Sequence, residues 1–107
     1  MNIEIGGERR PVKYTVNALL EFEELTGLEI LGTIDQNQFG KLKNMRALAF
    51  VGLKHGAKAE NKEVDFKLED VGDWIGFNDG SMNKFLLAFQ DSTKSDKEPS
   101  NDEVEKK

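Results

Sequence analysis

Apolar and polar residues alternate over the first fourteen positions, which end in Asn2-Ile-Glu-Ile-Gly-Gly-Glu-Arg-Arg-Pro-Val-Lys-Tyr14. A period of two marks a strand with one covered face. Ile3 and Ile5 share a face of one strand, and Val12 and Tyr14 share a face of the next. Gly6-Gly7 between them tolerates positive φ and supplies the turn of a β-hairpin. Pro11 has no N–H to give to a ladder, so its strand is expected at an edge. Two strands alone are marginally stable, so the hairpin must pack on something else.

Beyond Thr15 the period lengthens to that of helices. A first helix is predicted over Val16–Thr26, with Thr15 as N-cap and Gly27 as the residue after its end. At 100° per residue, Val16, Ala18, Leu19, Leu20, Phe22 and Leu25 form one broad apolar arc. Asn17, Glu21 and Glu24 lie opposite, and Glu23 falls inside the arc as a misfit. Residues 28–37 read as a loop or short turn. A second helix is predicted from Gln38 to His55, stopped by Gly56, with Phe39, Leu42, Met45, Leu48, Ala49, Phe50 and Leu53 on a wide apolar face. All its charges are basic (Lys41, Lys43, Arg46, Lys54), and Arg46 is its misfit, pointing between Leu53 and Phe39.

Residues 57–65 read as a polar loop. A third helix is expected over Leu68–Ile75, with Glu69 and Asp70 in the first turn, where the helix dipole favours acids. Asn78-Asp79-Gly80 makes a turn, and Ser81 caps a fourth helix over Met82–Asp91. Met82, Phe85, Leu86 and Phe89 repeat at helical spacing along it. Residues 93–107 hold Ser, Lys, Asp, Glu and Pro with one large aliphatic, Val104, the composition of a disordered tail. The expected architecture is therefore an α+β domain over residues 1–92: an N-terminal β-hairpin packed on a small bundle of about four α-helices, followed by a disordered C-terminal tail over residues 93–107.

Composition narrows the function. A chain of 107 residues builds one modest core. No stretch approaches the roughly 20 apolar residues of a membrane helix, and the N-terminus lacks a signal-peptide pattern. The absence of Cys excludes disulfides and thiolate metal sites. A soluble intracellular protein is expected. The formal net charge of −5 disfavours nucleic acid as a partner, because such binding rests on Lys and Arg neutralising phosphates. The basic second helix between acidic ones is more simply explained by internal charge complementarity.

Few residues offer chemistry. His55, the one histidine, has no Cys or second His beside it and no Ser close by, and is expected to face solvent in a last helical turn. The acids Glu23/Glu24 and Glu69/Asp70/Asp73 read as solvated faces, since adjacent helical positions do not face each other. Gly6-Gly7 lacks a phosphate-loop pattern. No catalytic residue, cofactor or metal site is assigned. A charge buried in an apolar arc needs a partner, so Glu23 and Arg46 are predicted to meet between the first two helices as a structural ion pair. Leu31, Ile34, Trp74, Phe77 and Phe89 exceed what so small a bundle is expected to cover, and form a candidate partner surface.

The order of features from Ile3 to Ser92 resembles the small tail assembly chaperones of long-tailed bacteriophages and prophages. The resemblance is carried by the hairpin IEIGGERRPVKYT, the helix ALLEFEELTGLEI, the helix end ALAFVGLKHG, the segment LEDVGDWI and a short helix before a charged tail. It implies a non-enzymatic protein in the cytoplasm of a bacterial host. Its implied partner is the tape-measure protein, a very long helical chain bound before the tail tube polymerises, with self-association also open. In that family a frameshift often appends a further domain, and the tail from Thr93 suits such a divergence. Two other classes stay open: another morphogenesis component, such as a head–tail connector or tail-completion protein, and a small nucleic-acid-binding regulator using the helix around Lys41–Lys54.

Overall fold

The computed structural model describes residues 2–29, 38, 41–76 and 80–93, the last of these by its backbone alone. Strands β1 (Asn2–Ile5) and β2 (Glu8–Pro11) form an antiparallel hairpin. Helices α1 (Val16–Thr26), α2 (Leu42–Ala59), α3 (Leu68–Trp74) and α4 (Ser81–Thr93) follow. The fold is α+β, as the periodicities predict.

In the hairpin, Gly6 and Gly7 take φ of 63° and 83°, both positive as a two-residue primed turn requires. The register pairs Ile5 with Glu8 and Ile3 with Arg10. Alternation from the turn makes these the hydrogen-bonded pairs and turns the backbone nitrogen of Pro11 away from β1, where its missing proton costs nothing. Ile3 and Ile5 are buried, while Asn2 and Glu4 face out.

Both predicted caps of α1 are present. Thr15 Oγ1 accepts from the Ala18 N–H at 3.1 Å. Gly27, left-handed at φ 80°, donates its N–H to the Glu23 carbonyl at 2.7 Å. The buried arc of α1 is narrower than its apolar pattern: Ala18 and Phe22 are buried, but Val16 is 75% and Leu20 50% exposed. On a helix wheel these two lie roughly opposite Ala18 and Phe22, the side that meets the rest of the core.

Helix α2 is the hub, and α1, α3, α4 and β2 all pack on it. Asn44, Ala47, Leu48, Val51, Leu53 and Ala57 are all buried and surround its axis, as befits a helix covered on nearly every side. It starts later and ends later than predicted. At its start, the Gln38 carbonyl accepts from the Lys41 N–H at 3.2 Å and from Asn44 Nδ2 at 2.7 Å, closing a turn ahead of the helix. At its end, Gly56 is no stop, because the helix continues to Ala59.

Gly56 serves a different purpose, together with Gly52 one turn earlier. A Cβ on Gly56 would collide with the Pro11 carbonyl, and one on Gly52 would lie 2.6 Å from the Tyr14 ring. The two glycines form a slot for the extended chain after β2. There the Lys13 N–H donates to the Gly52 carbonyl at 3.0 Å, and the Tyr14 hydroxyl donates to the Leu48 carbonyl at 2.7 Å. Burial pushes the Tyr14 phenol well above its ordinary pKa.

Helix α3 opens as its acids suggest, with Asp70 Oδ2 accepting the Lys67 N–H at 2.8 Å. Ser81 stands inside α4 rather than capping it, and Phe85, Ala88 and Phe89 of α4 are buried. Among the described residues no helix is long and apolar enough to cross a membrane. Of the expected tail over residues 93–107, Thr93 instead closes α4, and residues 94–107 lie outside the described residues.

Candidate functional site

Two sides of α3 carry most of the side chains with functional character. On one side lies Arg10, which the sequence reading passed over. It is 9% exposed. Its Nε donates to the Ile5 carbonyl at 3.0 Å and Nη2 to the Gly6 carbonyl at 3.3 Å, so the guanidinium braces the hairpin turn. Nη1 reaches Asp65 Oδ1 at 3.1 Å, and Nη2 lies 3.4 Å from Glu8 Oε2. The guanidinium carbon sits 4.5 Å from the Trp74 ring centroid and 5.3 Å from that of Phe66. Each polar contact and both ring faces favour the cation. The signal for this residue was present: period two puts Arg10 on the same strand face as Val12 and Tyr14.

Trp74 is thereby held by one face against the fold while staying partly exposed. Its ring also packs 5.6 Å from that of Phe66 and lies close over Gly6. Phe89 is 8% exposed and meets Tyr14 edge to face at 5.8 Å. Phe89 belongs to internal packing, which corrects its assignment to a docking surface, whereas Trp74 keeps part of its surface open. The reason is that the hairpin and the chain after it cover aromatics that a helix-only count leaves bare. Leu31, Ile34 and Phe77, the other members of that predicted surface, lie outside the described residues.

On the opposite side of α3 a groove of about 490 Å³ opens toward the first turns of α2. Leu42, Met45 and Ile75 give it apolar walls, and Leu42 is 64% exposed. Lys43 and Arg46 of α2 and Glu69 and Asp73 of α3 also line it. The groove is open because Gly72 and Gly76 face it without side chains. A Cβ on Gly72 would come within 2.9 Å of Arg46 Cδ, so the stem of Arg46 lies across Gly72.

The predicted Glu23–Arg46 pair does not occur among the ion pairs of the described residues. Arg46 turns to α3, while α1 and α2 are joined by other charges, more than two turns along α2 from Arg46. There Glu21 Oε2 accepts from Lys54 Nζ at 2.9 Å, and Glu21 Oε1 lies 2.9 Å from His55 Nε2. An ionised carboxylate only accepts, so Nε2 carries the proton in this contact. Burial raises the pKa of Glu21, but the hydrogen bonds from His55 and Lys54, with their charge, outweigh it and hold the carboxyl below its usual value. The His55 side chain is 11% exposed, so it does not face solvent as predicted. Because α2 runs on to Ala59, His55 lies in the body of the helix alongside α1 rather than at a free end.

This cluster also divides the basic helix. Lys54 is neutralised by Glu21 and Arg46 lies on α3, so its cations do not present one phosphate-binding face. Among the described residues no group of His, Cys, Asp and Glu is arranged to hold a metal ion. No family model matches the chain, and no curated protein or solved structure matches it either.

Proposed function

We propose that this protein is a non-enzymatic tail assembly chaperone, which binds the tape-measure protein through apolar helix surfaces during tail morphogenesis in the bacterial cytoplasm. One observation carries the reading: the groove between α2 and α3 exposes Leu42 beside Met45 and Ile75, within a border of charged residues. An apolar floor inside a polar rim is how proteins hold an amphipathic helix. A long helical partner displays apolar stripes that aggregate until covered, and a small acidic protein laid along them keeps them in solution. Val16 and Leu20, one turn apart and exposed on α1, add apolar surface of the same kind. The sequence order described above supplies the identity of the partner.

Co-expression tests the proposal. The tape-measure protein encoded beside this chain should become soluble and co-purify with it. Leu42→Asp should reduce that yield severalfold while the protein stays folded. A tape-measure protein that remains insoluble and is not retained by the wild-type chain would refute the assignment.

A further inference from the structure

We infer that the groove between α2 and α3 selects a partner helix whose apolar stripe carries acidic residues on one flank and basic residues on the other. The inference deepens the chaperone reading and rests on it only for the partner's identity. Lys43 and Arg46 come from α2, Glu69 and Asp73 from α3, and all four line the same groove. Among the described residues, neither cation lies within 4.0 Å of either carboxylate, although all four surround one opening. Elsewhere the same fold pairs its charges closely, as at Arg10 with Asp65 and Lys54 with Glu21.

Two cations and two carboxylates leave the groove with no net charge. A helix charged uniformly on both flanks therefore gains at one pair and is repelled at the other. A helix with unlike flanks is complementary to both pairs at once. Bordering an apolar floor, these charges lie well within a Debye length of anything bound there, and such complementarity governs which partner is accepted. The whole chain, at −5, draws basic helices at long range, so a uniformly basic helix is the stringent competitor. Lys43, Glu69 and Asp73 are exposed, so they can be changed without disturbing the core.

Three synthetic helical peptides of roughly 18 residues, long enough to hold a helix when bound, provide the test. They share one leucine stripe and differ in their flanks: Glu on one side and Lys on the other, Lys on both, or Glu on both. Fluorescence anisotropy against the full chain should show the mixed peptide binding about tenfold or more tightly than either uniform one, a gap that narrows with added salt. Lys43→Glu should move the preference toward the all-Lys peptide, and Asp73→Lys toward the all-Glu peptide, with circular dichroism unchanged in both. Equal affinity for the three peptides, binding of none, or preferences that neither substitution moves would overturn the inference. If the mixed peptide wins and the tape-measure protein is still not solubilised, the chaperone reading fails and the groove stands. If the tape-measure protein co-purifies while the peptides are not discriminated, the chaperone reading stands and this inference falls.

Discussion

On the Trp74 side of α3, a buried cation meets two carbonyls, two carboxylates and two aromatic rings. On the Gly72 side, a second arginine lays its stem across a glycine, and the carboxylates nearby stay beyond ion-pair distance. The two arginines sit on neighbouring elements and contact the same short helix, yet their surroundings differ in kind. Arg10 has been removed from water, and its charge is compensated within the fold. Arg46 keeps its aliphatic stem on protein and leaves its charge at the rim of an opening. The contrast separates what holds α3 in place from what α3 can offer to another molecule.

The largest expected effect comes from Arg10→Ala. Removing a buried cation leaves the Ile5 and Gly6 carbonyls without their donor and opens the aromatic stack, so urea denaturation should show a loss of about 3 kcal/mol. Arg46→Ala should cost less than about 1 kcal/mol, because only stem packing is lost. Equal losses would break the comparison between the two sides.

A pair of glycines sharpens it further. Gly56→Ala drives a methyl into the Pro11 backbone, which cannot step aside, and should cost about 2 kcal/mol or more in the same measurement. Gly72→Ala meets only the flexible stem of Arg46, and the gain in helix propensity offsets that contact. Its stability should fall within about 0.5 kcal/mol of wild type.

Glu21→Gln addresses the charges that join α1 to α2. The folded-state pKa of Glu21 lies below its unfolded value, so its contribution is present above about pH 4.3 and is lost as pH falls through the folded value. The substitution should cost about 1 kcal/mol near neutral pH and flatten the acid side of the stability profile. A profile of unchanged slope between about pH 5 and pH 3 would show that this cluster is not coupled to folding. The smallest effect is expected for Lys43→Ala, within about 0.5 kcal/mol of wild type by thermal unfolding. Lys43 is exposed and lines the groove rather than the core.

Local rules made much of the fold legible. Alternation with Gly6-Gly7 specified the hairpin, Thr15 and Gly27 bounded α1, and the acids of LEDVGDWI marked the start of α3. What escaped the sequence depends on partners distant along the chain. Gly56 looks like a helix end until Pro11 is seen lying against it. His55 looks solvated until α1 brings Glu21 to its ring. Arg46 and Glu23 both broke an apolar arc, but an arc does not say which neighbouring helix a long side chain crosses to, and Arg46 crossed to α3. Trp74 and Phe89 seemed surplus because the hairpin and residues 11–14 were not counted among the elements that cover them. The groove was invisible for a related reason: its charges are ordinary surface residues until two helices set them around one opening.

The slot formed by Gly52 and Gly56 bears on the order in which the chain can assemble as it leaves the ribosome. The residues made first rest on residues made much later. Tyr14 anchors to Leu48, 34 positions on, and Arg10 to Asp65, 55 positions on. A nascent chain that has completed α1 has neither the slot nor the aromatic clamp for its N-terminal strands. Those strands wait for the hub helix, then for α3, before they acquire a partner, and contacts of such span close slowly. Until then the isoleucines of β1 are in water, so the chain passes through its own synthesis with part of its core uncovered.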